Sequence, residues 1–282
     1  MRKTAVLLAI LLAASAAAYP QLITFKLTGG LTWIDGDDYN KGIAGQNKYL
    51  RDTTTSSGSY RELTSGLSGL AEIVVHTRSG FAVGFGGGYY RLGRDSAVSG
   101  QGVQDGVPYD FTSTFRPRLS VIPLFMNLHY FLKLAPKASL DIYAGPLFQV
   151  VQFTFENPST VSLNAVDQTV TYTASQTAFG FQTGLGLSYD LMAGIGLVAD
   201  ASYRFGKATD FMGNWAVLGT SAAGTINKSS AESYMWAYDD GGYFLVDFYD
   251  KNGPTGDSVS GARKADLRLS GIALSAGLKI FF

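Results

Sequence analysis

Eight stretches of this chain carry large apolar side chains at every second position, and the connections between them alternate strictly, short then long. A period of two is the repeat of a β-strand. In the first stretch Ile23, Phe25, Leu27, Leu31 and Trp33 separate from Thr24, Lys26, Thr28, Gly30 and Thr32. In the last, Ile272, Leu274, Ala276, Leu278, Ile280 and Phe282 separate from Gly271, Ala273, Ser275, Gly277, Lys279 and Phe281. The short connections, at residues 77–80, 133–138 and 190–194, read as tight turns. The long ones reach about 30 residues after the first stretch and about 60 before the last, against about 4 to 6 in a compact soluble domain. With both chain ends on the short-turn side, this is the plan of a barrel with short turns at one end and long loops at the other.

Three irregularities interrupt the alternation. The third stretch predicts a bulge at Tyr89-Tyr90 that turns Arg91 inward. Pro123, lacking a donor, predicts a gap or a bulge in the fourth. In the fifth the apolar set slips phase, from Leu140, Ile142, Ala144, Phe148 and Val150 to Val151, Phe153 and Phe155, which predicts a second bulge.

Residues 1–18 read as a secretory signal peptide: Arg2 and Lys3, then an apolar stretch, then Ala16-Ala17-Ala18. Residues 19–282 are then the exported domain. No later apolar run approaches the roughly 18 residues of a membrane-spanning helix, so a membrane location requires a closed β-barrel. Twenty-two Lys+Arg balance 22 Asp+Glu, which sets nucleic acid aside. With no Cys and only His76 and His129, the inventory for metal binding and acid–base catalysis is thin.

Alternation alone does not say which face is inside, because a soluble lipocalin-type barrel has the same period with its apolar set inward. The opposite set here is mostly Gly, Ser, Thr and Ala with isolated charges, whereas a water-facing exterior would be rich in Lys and Glu. Trp33, Tyr89 and Phe205 fall at one end of the apolar stripes, and Phe81, Tyr130, Tyr189 and Phe282 at the other, as interfacial aromatic girdles do. The expected fold is therefore all-β: an eight-stranded antiparallel up-and-down transmembrane β-barrel with its apolar face toward lipid. A ten-stranded variant would need residues 217–220 and 243–248 to cross the membrane, and the former segment is too short.

The eight amphipathic stretches, the Val121-Ile122-Pro123-Leu124 run followed by Tyr130-Phe131, the Tyr143-Ala144-Gly145-Pro146 run and a terminal strand ending in Phe282 resemble the small outer-membrane β-barrel superfamily of the OmpA transmembrane domain, OmpX and OmpW. The resemblance spans residues 19–282. It implies the bacterial outer membrane, with its lipid and lipopolysaccharide as surroundings, and Leu278, Ile280 and Phe282 as the signal read by the barrel-assembly machinery. Members are variously structural, adhesive, permeable to small hydrophobic solutes or enzymatic.

Counting strands up and down brings Lys26, Glu72, Asn127, Asp200 and Lys279 to similar depth inside, with Arg204 above them. Two lysines facing Glu72 and Asp200 would neutralise one another in a plug, since eight strands leave no aqueous bore. His76 and His129 fall near the short-turn rim, away from the outer leaflet where a lipid-modifying enzyme acts, so no catalytic residue is assigned. The 84–88 glycine run lacks the helix and Lys-Ser/Thr of a phosphate loop. Acidic runs at residues 35–38 and 250–257 lack the EF-hand glycine and closing glutamate, so no metal or other cofactor is implied. The last long loop carries Tyr234, Trp236, Tyr243, Phe244 and Phe248, aromatics suited to an extracellular partner. A hairpin over the mouth, turning at Asp239-Asp240-Gly241-Gly242, is the alternative. The expected function is non-enzymatic, structural or interacting through loops; a narrow channel for small hydrophobic solutes comes second and a lipid-modifying enzyme third.

Overall fold

The computed structural model describes residues 23–77 and 80–282, so the leader expected over residues 1–18 and the middle of the turn at residues 77–80 lie outside the described residues. In chain order the elements are β1 (Ile23–Trp33), α1 (Asp37–Thr53), β2 (Thr54–Gly58), β3 (Ser65–His76), β4 (Phe81–Gly93), β5 (Ser96–Gln104), β6 (Val107–Ala135), β7 (Ala138–Val161), β8 (Val166–Met192), β9 (Ile195–Ala208), β10 (Met212–Ser221), β11 (Gly224–Asp240), β12 (Tyr243–Tyr249), β13 (Val259–Lys264), β14 (Leu267–Arg268) and β15 (Gly271–Phe281). The all-β, antiparallel expectation holds, but the strands among the described residues number 15 rather than eight.

Pairing runs from β1 to β3, β4, β6, β7, β8, β9 and β15, and from β15 back to β1, so these strands close a ring. The remaining strands stand at the loop end. There β6, β7 and β8, of 29, 24 and 27 residues, run on past the ring as a tall wall. The sheet β10–β11–β12 continues from the upper part of β8, and β2 pairs with β5 against β6. The segments read from sequence as long loops are thus largely sheet, and residues 217–220 and 243–248 belong to this outer sheet and not to the ring.

Two of the expected irregularities are absent. In β7 every odd-numbered residue from Asp141 to Phe155 lies on the inner side, through Leu147, Gln149, Val151 and Phe153, and the register with β8 is unbroken. The phase slip at Val150-Val151 is therefore not a bulge: the strand keeps its alternation while its surroundings invert. Below this level the outward set is Ile142, Phe148 and Val150; above it the outward set is Gln152, Thr154 and Glu156 and the apolar side chains point in. The neighbouring strands invert at the same height, since Val150 pairs with Ile122 and Thr177, and outward residues give way to Ser120 on β6 and to Thr177, Ser175 and Thr173 on β8. On β4, Tyr90 and Leu92 are buried and Arg91 is exposed, so the bulge and the inward Arg91 are corrected too. Pro123 does leave a gap: β4 and β6 skip two pairs there and resume in the same register.

The interior above the inversion is an ordinary apolar core. Tyr90, Leu119, Phe153 and Tyr172 pack against Tyr39 and Ile43 of α1 and against Met235 and Leu267. The helix starts with Asp37 and Asp38 near its N-terminus and Arg51 in its last turn, which suits its dipole. Tyr39, Ile43 and Leu50 form its apolar stripe. Gly42 lets β12 lie against it, because a Cβ there would come 2.7 Å from Val246 Cβ.

Candidate functional site

Inside the ring the inward set is polar, and its buried members form one connected network. Lys26, 5% exposed, donates from Nζ to Asp141 Oδ2 at 2.5 Å and stands 3.8 Å from Glu72 Oε2. His129, fully buried, bridges the same carboxylates, with Nδ1 2.9 Å from Asp141 Oδ1 and Nε2 2.9 Å from Glu72 Oε1. Only the doubly protonated ring donates both bonds. Asn127 Nδ2 donates to Glu72 Oε1 and Gln182 Nε2 donates to Asn127 Oδ1, each at 2.9 Å. The network needs Gly84 beneath it, since a Cβ there would come 2.5 Å from His129 Nε2.

This arrangement differs from the pairing expected from sequence. Lys26 and Lys279 are register partners on β1 and β15, but the Lys279 ammonium turns toward the turn end, where it meets Asp190 at 2.7 Å and Ser188 at 3.0 Å. Asp200 forms no ion pair among the described residues; it lines a cavity of about 30 Å³ with Tyr143, Ser202 and Ser275, room for about one water. Arg204 sits higher, 2% exposed, with its guanidinium 4.9 Å over the Tyr90 ring and a 3.3 Å bond to Thr32 Oγ1. His129 lies within the network and not on the rim, whereas His76 lines the turn-end mouth, its Nε2 2.9 Å from Thr24 Oγ1. Asp141, Gln182 and His129 as a bridge escaped the sequence reading. Asp141 was signalled by its place between the outward Leu140 and Ile142.

The network closes the ring interior. On its turn side a vestibule of about 270 Å³ is lined by His76, Phe131, Lys133 and Lys279 and floored by Lys26 and Asp141. On its loop side Leu147, Tyr90 and Val121, all at most 1% exposed, begin the apolar core, and α1 and the outer sheet cover that.

The five loop aromatics are engaged within this cover. Phe248 stacks on Tyr172 with centroids 3.7 Å apart, and Phe244 packs on the core. Trp236 Nε1 donates to the Asp250 carbonyl at 3.0 Å, and Tyr243 Oη donates to Asp52 at 3.2 Å. Lys264 lies 4.2 Å over the Tyr234 ring. The hairpin alternative describes their geometry: Asp240 pairs with Tyr243 around Gly241-Gly242. The acidic run at 35–38 is likewise used internally. Asp38, its side chain 2% exposed, accepts from Arg263 Nη2 at 2.7 Å and from the Asp266 N–H at 2.9 Å, while Asp35 meets Arg268 at 2.9 Å. At the ring's other extreme Leu278, Ile280 and Phe282 all face outward and are 48%, 39% and 79% exposed.

No family model matches the chain, and no curated protein matches it in sequence. Among solved structures, the chain is similar to the crystal structure of a major outer membrane protein from Thermus thermophilus, at 13% identity and a TM-score of 0.40, over 94% of this chain and 100% of that one. It also overlaps the RagAB peptide importer in its closed-closed state, at 9% identity and a TM-score of 0.18, over 94% of this chain and 41% of that one.

Proposed function

We propose that the ring is an eight-stranded transmembrane β-barrel of the bacterial outer membrane, exported through the leader at residues 1–18, with the turn end in the periplasm and the outer sheet and α1 outside the cell. One observation carries this reading: the ring exposes Leu27, Ile73, Leu185 and Leu278 at 48–56%, with further large apolar side chains exposed beside them, while its buried side is Lys26, Asn127, His129 and Asp141. In water this would be an inverted protein; against hydrocarbon it is the expected one. On β1 the outward face runs 11 residues from Ile23 to Trp33, and at the usual rise and tilt that spans about 25 Å, the height of a bilayer's apolar band.

The role that fits is structural. The network and the cap close the bore in series, so the protein is a membrane-spanning support for a rigid outer cap, and any partner contacts the outside of that cap and not its enclosed aromatics. Both histidines lie below the inversion, far from where an enzyme acting on outer-leaflet lipid would need its catalytic groups. The test is twofold. In a vesicle refolding assay Leu278→Lys should lose about 2–4 kcal/mol of insertion free energy, and Ser275→Lys, facing the lumen beside Asp200, clearly less. In planar bilayers the wild type should pass no steady current; a stable large conductance would replace the structural reading with the channel.

A further inference from the structure

The vestibule of about 270 Å³ at the turn end has no part in the structural role, which is complete once the network has closed the bore. Its inner end is made of buried polar side chains: Thr24, Lys26 and Ser188 are each at most 5% exposed. Their contacts show that they face it. Thr24 Oγ1 lies 2.9 Å from His76 Nε2, Ser188 Oγ lies 2.7 Å from Ser139 Oγ across the β7–β8 pair, and Lys279 Nζ donates to Ser188 Oγ at 3.0 Å. On β6 the Phe131 ring sits 4.7 Å from His76 and 5.8 Å from the buried His129, which marks the inner face of that strand, and Lys133 is the next residue on that face.

The charges here do not balance. Lys26 and His129 are matched by Asp141 and Glu72 within the network, and Lys279 by Asp190. Lys133 and Lys137, exposed at the opening of the same vestibule, form no ion pair among the described residues. A cleft with an excess of one sign concentrates the opposite charge. Donors are in surplus as well. An ammonium has three protons, of which Ser188 and Asp190 can take two from Lys279, and the Ser139 and Ser188 hydroxyls, joined by a single hydrogen bond, leave one proton uncommitted. Lysine binds phosphate as a point charge, without the fixed fork of arginine, and the described lining holds lysines and no arginine. The remaining wall, with Phe131, Val198 and Phe281, is apolar. A cavity of about 150 Å³ takes benzene, so 270 Å³ takes a phosphate group together with a body of about one ring.

We propose that the vestibule binds a small phosphate dianion, free or as a phosphomonoester, held by Lys133, Lys279 and the Ser139–Ser188 hydroxyl pair, with Lys137 at the opening. In the orientation proposed above it faces the periplasm. Its chemistry does not depend on that orientation, and the test runs on protein in a nonionic detergent.

The probes are inorganic phosphate, phenyl phosphate and the monoanion benzenesulfonate, titrated by calorimetry into the full-length protein at constant ionic strength and about pH 8, above the second phosphate pKa of about 6. Saturable binding of at least one dianion at one site is expected, with benzenesulfonate about tenfold weaker than phenyl phosphate or worse. Tighter binding of phenyl phosphate than of inorganic phosphate assigns the site to monoesters, and the reverse order assigns it to free phosphate. Lys133→Gln, at an exposed position, should weaken the dianion about tenfold. Asp190→Asn, which removes an opposing carboxylate and frees Lys279, should tighten it several-fold, an effect that a purely structural pair would not produce. Absence of saturable binding by both dianions, equal binding of benzenesulfonate, full retention by Lys133→Gln or weaker binding by a folded Asp190→Asn overturns the proposal. The comparison among probes uses the unmodified protein, so it decides the matter even where a variant fails to refold.

Discussion

The two interiors of this molecule are built on opposite chemistry by the same strands. Along β7, Asp141 faces a lysine and a histidine, while Phe153, twelve positions on and on the same side, packs against Tyr39. What changes between them is the exterior. Where the outward face meets apolar surroundings, the inward face is free to hold charges, provided each is paired; where the outward face turns polar, the inward face must supply the hydrophobic driving force itself. The ring thus has an apolar exterior and hydrogen bonds inside, and the cap a polar exterior and apolar contacts inside.

That difference predicts unequal tolerance. Asp141→Asn removes no volume but strips from Lys26 and His129 one of their two carboxylate partners, for Lys26 the nearer one, leaving only Glu72, a one-sided break in a buried network that should cost about 3–5 kcal/mol. Leu119→Met changes the shape of a fully buried cap residue and should cost less than about 1.5 kcal/mol, because apolar cores repack. Urea unfolding from lipid vesicles measures both. Equal losses would mean that the network is a filler and that the contrast between the two interiors is empty.

The next effect tests the height of the inversion. Leu185 and Thr173 share the outward face of β8, one below and one above the switch at Phe179–Thr177. Leu185→Lys should lose about 2–4 kcal/mol and Thr173→Lys no more than about 0.5 kcal/mol. A large loss for Thr173→Lys would move the apolar boundary upward and put the outer sheet in contact with lipid.

Much of the ring was legible because its outer and inner sets obey a two-residue period that no neighbour can disguise: Lys26, Glu72 and Asn127 were placed inside from parity alone. The pairing was not. Whether Lys26 meets Asp200 or Asp141 depends on side-chain reach across a ring, which alternation does not contain. The slip at Val150-Val151 was visible and misread, since a change of surroundings and a bulge leave the same trace in the apolar pattern. The helix was hidden for a different reason. Its apolar stripe is only Tyr39, Ile43 and Leu50, and Gly42 and Gly45, poor helix formers in isolation, are present because β12 lies against them. Tertiary contact makes that helix, so local pattern could not announce it.

The smallest effect concerns how that helix is docked, where a charge pair does in the cap what it does in the ring. Burial works to raise the pKa of Asp38, but hydrogen bonds from Arg263 and from the Asp266 N–H outweigh it, and the carboxyl is held below its usual range. A depressed carboxylate contributes stability that is fully present above its unfolded pKa, about 3.9, and is lost as pH falls through the folded value. Between pH 5 and pH 2, then, helix α1 should loosen first while the ring holds. Hydrogen exchange of the 37–53 amides would report the helix, and unheated gel mobility the ring. Asp38→Asn should show a loosened helix already at pH 7, and no further helix-specific step on acidification. If the variant and the wild type follow the same acid curve, the Asp38–Arg263 pair is not what anchors the cap, and the apolar stripe alone distinguishes it from the ring.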